Sequence, residues 1–107
     1  MLASTPEPPY TAVIFTSERT AADADGYAAV SARMETLAAE QPGYLGIESA
    51  RDASDGVGIT VSYWATEDDA GAWKRVAEHA EAQRAGRERW YSAYRVRVAT
   101  VTRTYGT

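Results

Sequence analysis

Two hydrophobic periodicities alternate along this chain, and their order constrains its fold more than any other feature. Apolar and β-branched residues recur at alternate positions over Tyr10–Thr16, Tyr44–Arg51, Val57–Trp64 and Tyr94–Tyr105, a spacing that predicts four strands. After the first and the third of these segments they recur at every third or fourth position, which predicts two helices. This order is that of a ferredoxin-like βαββαβ sandwich of the α+β class.

Capping and turn residues mark where the two helices begin and end. The first helix should begin at Asp23 or Asp25, since either carboxylate can accept hydrogen bonds from unpaired amides, and should end at the Gln41-Pro42-Gly43 turn. Thr66, followed by acidic residues in the first turn, should cap the second helix. The apolar stripe of the first helix comprises Tyr27, Val30, Met34 and Leu37.

The C-terminal third is predicted to be less regular. Gly86 should weaken the second helix before a short helical piece over Arg87–Tyr91. In the last strand Val96 and Val98 alternate onto one face, whereas Val101 falls on the other. A bulge near Ala99 would place all three valines on the same face.

The first strand is apolar on both faces, with Val13 and Phe15 on one and Ala12 and Ile14 on the other. This pattern predicts a central strand. Helices would cover only one face of the sheet, so the other apolar face needs a partner, and a second copy of the chain is the simplest one. We therefore expect a homodimer.

Composition narrows the class of protein. The chain has 107 residues, 45% of them hydrophobic and 24% charged, which predicts one globular domain at 10–107, preceded by a flexible arm at 1–9 that contains three prolines. The net charge of −4 argues against a nucleic-acid partner. No apolar run is long enough for a membrane span, and the N-terminus lacks secretory-signal features, so a cytoplasmic location is expected.

Charge is unevenly distributed along the sequence. Residues 1–69 contain three basic and twelve acidic side chains, whereas residues 70–107 contain eight basic and three acidic ones. One interpretation is that the two halves neutralise each other in the fold. The other is a basic mouth for an anionic ligand, formed by Arg84, Arg87, Arg89, Arg95 and Arg97.

Three short motifs occur in a characteristic order: QPGYLG at 41–46, SYW at 62–64 followed by an acidic helix start and Trp73, and GRERWY at 86–91. With these motifs the chain resembles the antibiotic biosynthesis monooxygenase superfamily from Tyr10 to Gly106. The resemblance implies a dimeric α/β barrel, in which two sheets pack face to face and each subunit holds a ligand pocket between sheet and helices.

Members of that superfamily include oxygenases that use neither metal nor flavin and act on polyphenols, and enzymes that degrade haem. The haem-degrading members have an iron-ligating histidine where this chain has Gln83, and an asparagine on the first strand, whereas this chain contains no asparagine. The resemblance to the other branch implies a cofactor-independent monooxygenase, without a bound metal, for an aromatic, polyphenolic or quinone-type molecule. A non-catalytic homodimer that binds small molecules in the same pocket is the alternative.

Candidate catalytic residues lie on the second helix and beyond it. If the helix continues past Gly86, one line along it carries His79, Gln83, Arg87 and Trp90. An imidazole can take a proton from a phenol near neutral pH, and a guanidinium can stabilise the resulting anion. We therefore assign His79 as the candidate base and Arg87 as the candidate anion stabiliser.

The candidate substrate-binding residues are Tyr63, Trp64, Trp73, Gln83 and Trp90. Several of these positions also fit structural roles. Trp73 lies in an alanine-rich stripe and can fill the core, and a histidine at a helix edge is often structural. Tyr63 and Trp64 point to opposite faces of their strand, and spacing alone does not decide which of them lines a pocket.

Overall fold

The computed structural model describes residues 2–21, 24–83 and 90–107. The elements follow the predicted order: β1 (Tyr10–Arg19), α1 (Ala24–Ala39), β2 (Tyr44–Arg51), β3 (Val57–Trp64), α2 (Glu67–Gln83) and β4 (Tyr91–Val101). The strands form one antiparallel sheet in the order β2-β3-β1-β4. This arrangement confirms the ferredoxin-like α+β fold and the central position of β1.

The two faces of the sheet differ in what covers them. The helix face, which carries Val13, Ser62, Trp64 and Val96, packs against α1 and α2. The outer face carries the alternate residues of each strand, among them Tyr63. Because successive side chains on a strand point to opposite faces, these side chains point away from the helices.

The edge strand β4 begins earlier than predicted and contains no bulge at Ala99. Pairing with β1 is regular through Ala12 and Ala99, and it continues to Arg19 opposite Tyr91, with an irregularity between Glu18 and Arg19. The predicted bulge was wrong because both faces of the sheet accept apolar side chains, so the change of phase at Val101 needs no correction. Tyr91 belongs to β4, and the rest of the predicted helical piece, at 87–89, lies outside the described residues.

A different irregularity occurs in β2. Tyr44 pairs with Trp64 and Ile47 pairs with Ser62, so an advance of three positions along β2 matches an advance of two positions along β3. The extra residue, Leu45, restores the register, so both partners face the helices.

The start of α2 agrees with its capping signal. The Asp69 amide donates to Thr66 Oγ1 at 3.0 Å, which satisfies one of the unpaired donors of the first turn. Gly43, in the preceding turn, has a φ of +81°, and a Cβ there would overlap the Asp69 carboxylate. Of the two candidate caps for α1, Asp25 lies inside the first turn and Asp23 lies outside the described residues.

The core centres on Trp64, which has an exposed fraction of 0%. Its ring stacks on Trp73 of α2 with 5.7 Å between centroids and 21° between planes, and Tyr44 packs edge-on against it. Trp64 Nε1 donates to Ser62 Oγ at 2.9 Å, so the indole is buried with its polar atom satisfied. Aromatic stacking at this point therefore fixes α2 to the centre of the sheet.

The N-terminal arm lies against the outer face. The Ala3 amide donates to Glu48 Oε2 at 2.8 Å, and Tyr63 Oη donates to Glu48 Oε1 at 2.6 Å. The hydrogen bond from Tyr63, followed by that from Ala3, lowers the pKa of Glu48, whereas burial and the nearby Glu48 raise the pKa of Tyr63 to about 12. Neither described helix is long and apolar enough to cross a membrane.

Removal of the Trp64 side chain should destabilise the fold strongly. We expect Trp64→Ala to lower the free energy of unfolding by about 3–5 kcal/mol, because the lost indole leaves a cavity under α2. Tyr105, which is 90% exposed, provides the control, and Tyr105→Ala should change stability by less than about 0.5 kcal/mol. Urea unfolding followed by circular dichroism measures both. Equal midpoints for the two variants would contradict the central role of Trp64.

The Glu48–Tyr63 hydrogen bond should contribute more to stability while Glu48 is ionised than when it is protonated. Because the folded-state pKa of Glu48 is lowered, its contribution is present above the unfolded value of about 4.3 and is lost as the pH falls through the folded value. A double-mutant cycle with Glu48→Ala and Tyr63→Phe should therefore give a favourable coupling energy at pH 7 that decreases by pH 3. A coupling energy independent of pH would refute this.

Candidate functional site

A cavity of about 450 Å³ lies between the helix face of the sheet and the two helices. Its volume is typical of pockets that enclose drug-sized organic molecules. Six aromatic side chains line it: Phe15, Tyr27, Trp73, Trp90, Tyr91 and Tyr94. Aliphatic side chains, among them Val13, Met34 and Val96, complete the apolar lining.

The cavity arises from the way the helix stripes meet the sheet. Towards one end of the helix face, the pair Trp64 and Trp73 and the small residues Ala38 and Ala70 close the layers into a core. Towards the other end, Tyr27 of α1 contacts Trp90 and Tyr91 instead. Space therefore remains between the core and these rings.

Two of the predicted substrate-binding residues line this cavity, namely Trp73 and Trp90. Trp64 also faces the helices, but it is fully buried behind Trp73 and does not contribute to the lining. Tyr63 lies on the outer face, where it contacts Tyr10 and Glu48. The structure thus places Trp64, and not Tyr63, on the side of the sheet that contains the cavity.

The predicted catalytic residues lie at or beyond the edge of this cavity. The His79 side chain is exposed on α2 and is not among the lining residues, whereas its neighbour Glu78 is. Gln83 is the last residue of α2. Arg87 lies outside the described residues, as do Arg84 and Arg89. The roles predicted for His79 and Arg87 remain predictions.

Several lining aromatics were absent from the sequence-based set of site residues. Phe15 packs against Tyr91 and Tyr94 with centroids 5.3 and 5.7 Å apart, and Tyr27 packs edge-on against Trp90 and Tyr91 at 5.9 and 5.8 Å. Tyr27 had a detectable signal, because it begins the apolar stripe of α1, but a stripe residue is usually core. The others become neighbours only when β1 pairs with β4.

A polar network borders the end of the cavity near Tyr27. Arg51 Nη2 donates to Ser17 Oγ at 2.8 Å and to Tyr27 Oη at 3.3 Å, while Arg51 Nη1 donates to the Gly56 carbonyl. The Arg19 guanidinium carbon lies 3.6 Å from the centroid of the Tyr27 ring, in cation–π contact, and Arg19 Nε donates to the Trp90 carbonyl at 3.3 Å. Two guanidinium groups therefore contact one lining tyrosine.

Trp90 contributes an unusual feature to the same end. Its side chain is 5% exposed, and its indole Nε1 is buried without a hydrogen-bond partner in the part of the chain that the structure describes. A buried donor without an acceptor costs about 1–3 kcal/mol. Such a cost is typical of a group whose partner arrives with a ligand or after a rearrangement.

The side of the cavity between α1 and α2 has a different character. Glu35 of α1 and Lys74 and Glu78 of α2 line it, and Lys74 Nζ lies 3.4 Å from Glu78 Oε1. Carboxylates therefore border this side, whereas guanidinium groups border the end near Tyr27. Over residues 2–21, 24–83 and 90–107, no group of three metal-ligating side chains is close enough to hold an ion.

Comparisons with known proteins agree with this architecture. The curated relative YqjZ of Bacillus subtilis, an uncharacterized protein, is 53% identical over 102 residues, which span 95% of this chain and 88% of the relative. Among solved structures, the cofactor-independent oxygenase SnoaB from Streptomyces nogalater matches with a TM-score of 0.69 and 21% identity, covering 91% of this chain and 97% of that one.

A protein of unknown function from Nitrosomonas europaea matches with a TM-score of 0.74 and 12% identity, covering 95% of this chain and 98% of that one. At such low identities the two structures show a shared fold. The sequence model for antibiotic biosynthesis monooxygenases matches residues 9–85, most of the folded domain. The chain therefore belongs to the antibiotic biosynthesis monooxygenase family.

Proposed function

We propose that this protein is a cofactor-independent monooxygenase that oxidises an aromatic, quinone-forming small molecule. The observation that carries the proposal is the 450 Å³ cavity, whose walls contain six aromatic side chains. Planar rings can stack on these walls, and the apolar lining keeps bulk water away from a reactive anion. Family membership and the shared fold of SnoaB support the same reaction class.

The reaction needs no electron donor other than its substrate. A base removes a proton from the methylene group that lies opposite the carbonyl in the central ring of an anthrone, and the resulting enolate, which is conjugated through the fused rings, donates an electron to oxygen. A carbon–oxygen bond forms, and protonation gives a hydroperoxide. Loss of water then leaves a new carbonyl group, so one anthrone and one O₂ give one anthraquinone and one water. The protein must bind the ring system, remove the first proton and stabilise the negative charge.

Two kinds of side chain compete for the role of base. His79 is the residue predicted from the sequence, and its imidazole is exposed on α2. The carboxylates of Glu35 and Glu78 border the cavity itself. Arg87 remains the predicted anion stabiliser.

Oxygen consumption tests the proposal directly. We expect the purified protein, treated with EDTA, to accelerate the oxidation of an anthrone with one O₂ consumed per anthraquinone formed. Trp73→Ala should lower kcat/KM about tenfold or more, since it removes one aromatic wall, whereas Tyr105→Phe should have no effect. An oxygen electrode and absorbance of the quinone provide the two measurements. Quenching of tryptophan fluorescence without oxygen uptake would instead identify the non-catalytic binding protein.

The base can be identified with the same assay. If His79 is the base, His79→Ala should reduce kcat about 10²-fold or more, while Glu35→Gln and Glu78→Gln retain the parent rate. A loss confined to one glutamine variant would transfer the role to that carboxylate.

We further propose that the functional unit is a homodimer joined through the outer face. Ile59 is 46% exposed on that face in the single chain, and Ile14 and Val61 are half-buried there. An exposed apolar sheet face is a common surface for self-association.

A matched pair of variants tests the dimer. Ile59→Lys should shift the protein towards monomer in sedimentation velocity, because it buries a charge in the interface. Val98 is 50% exposed but lies on the helix face, opposite Val13, so Val98→Lys should leave the association unchanged. A monomeric parent protein at micromolar concentration would refute the dimer.

A further inference from the structure

The cavity has one end at which hydrogen-bond donors and positive charges converge. It is formed by Tyr27, Trp90, Tyr91, Arg19 and Arg51 and is referred to below as the tyrosine–arginine end. Three of these residues, Tyr27, Trp90 and Tyr91, line the cavity itself. Its chemistry differs from that of the carboxylate-bordered side between α1 and α2.

The hydroxyl oxygen of Tyr27 accepts hydrogen bonds from Arg51 and Tyr91, so its own hydrogen is not used in them. Arg51 can only donate, and its Nη2 lies 3.3 Å from Tyr27 Oη. Tyr91 Oη donates to the same oxygen at 3.5 Å, close to the limit for a hydrogen bond. Because both contacts use the lone pairs of Tyr27 Oη, the hydroxyl hydrogen of Tyr27 remains for an acceptor.

Charge favours an anion as that acceptor. The Arg19 guanidinium lies 3.6 Å from the ring centroid of Tyr27, and the Arg51 guanidinium lies 5.6 Å from it. A hydrogen bond from a phenol polarised by adjacent cations is strongest when the acceptor is negatively charged. A neutral oxygen at the same point would use the donor but gain little from the two charges.

The Trp90 side chain supplies an independent observation. Its buried Nε1 has no partner among the described residues, and its ring contacts Tyr27 edge-on at 5.9 Å. The contact between the rings of Tyr27 and Trp90 thus places this buried donor beside the tyrosine–arginine end. One buried N–H without an acceptor and one phenol whose lone pairs accept hydrogen bonds, beside two cations, match a ligand group that only accepts hydrogen bonds.

We propose that the tyrosine–arginine end is a subsite for a negatively charged oxygen of an aromatic ligand, a carboxylate or a phenolate. Tyr27 donates to this oxygen, and Arg51 and Arg19 act through Tyr27 as positioning residues. The ring system of the ligand then lies along the cavity towards Trp73. This inference rests on the proposed function for the identity of the cavity as the substrate site, and it adds the chemical class of the substrate.

Two probes that differ in charge test the subsite. 2-Naphthoate carries the anionic oxygens, and 2-naphthamide is its neutral counterpart of nearly equal shape. In anaerobic calorimetry at pH 7, we expect the parent protein to bind 2-naphthoate about tenfold or more tightly than 2-naphthamide. Tyr27→Phe keeps the ring beneath Arg19 but removes the hydroxyl, so this ratio should fall towards one.

Tyr44→Phe is the matched control, because it removes a hydroxyl from a ring that packs on Trp64 and does not line the cavity. It should keep the preference of the parent protein. Arg51→Gln should reduce the preference as Tyr27→Phe does, and circular dichroism establishes that each variant is folded. Equal affinities for the two probes, no binding of either probe, or an unchanged ratio in folded Tyr27→Phe would overturn the proposal.

The outcome is separable from that of the oxygenase proposal. A preference for 2-naphthoate that depends on Tyr27, together with no oxygen uptake on an anthrone, would support the subsite and reject the oxygenase. Oxygen uptake on an anthrone without a preference for 2-naphthoate would support the oxygenase and reject the subsite.

Discussion

The stack of Trp64 on Trp73 is the contact on which the rest of the structure depends. It joins the end of the central strand β3 to the middle of α2, with the ring centroids 5.7 Å apart. Since Trp64 is fully buried and its Nε1 is satisfied by Ser62, the stack combines a large apolar area with no unpaired polar atom. The position of α2 over the sheet follows from this contact.

The same contact determines where the cavity lies. One face of the Trp73 ring covers Trp64, and the residue also lines the cavity, so core and pocket share a wall. Beyond it, rings from α1, β1 and β4 meet at distances of 5.3 to 5.9 Å and support one another without filling the space. Aromatic walls suit a planar ligand, because a planar ring system can pack against them over a large apolar area.

Acidic and basic side chains lie at different parts of the cavity, and the oxygenase proposal and the subsite proposal assign different roles to them. Glu35 and Glu78 border the side between the helices and are candidate bases, whereas Arg19 and Arg51 contact Tyr27 at the other end. A substrate whose anionic oxygen lies at Tyr27 would extend its ring system along the cavity wall towards Trp73. Binding and proton removal would then occur at separate points of one cavity.

The sequence by itself determined the element order, the exact bounds of β2 and β3 and the cap at Thr66, because periodicity and capping are local properties. The family followed from the resemblance of its short motifs. The sequence also identified Trp73 and Trp90, which line the cavity. The register of β4 and the absence of a bulge at Ala99 were decided by strand pairing, and the packing of the helices decided that Trp64, and not Tyr63, faces them. Only the tertiary structure brought Arg51 to Tyr27, since these residues lie 24 positions apart. They meet only when the first turns of α1 pack near the C-terminal end of β2.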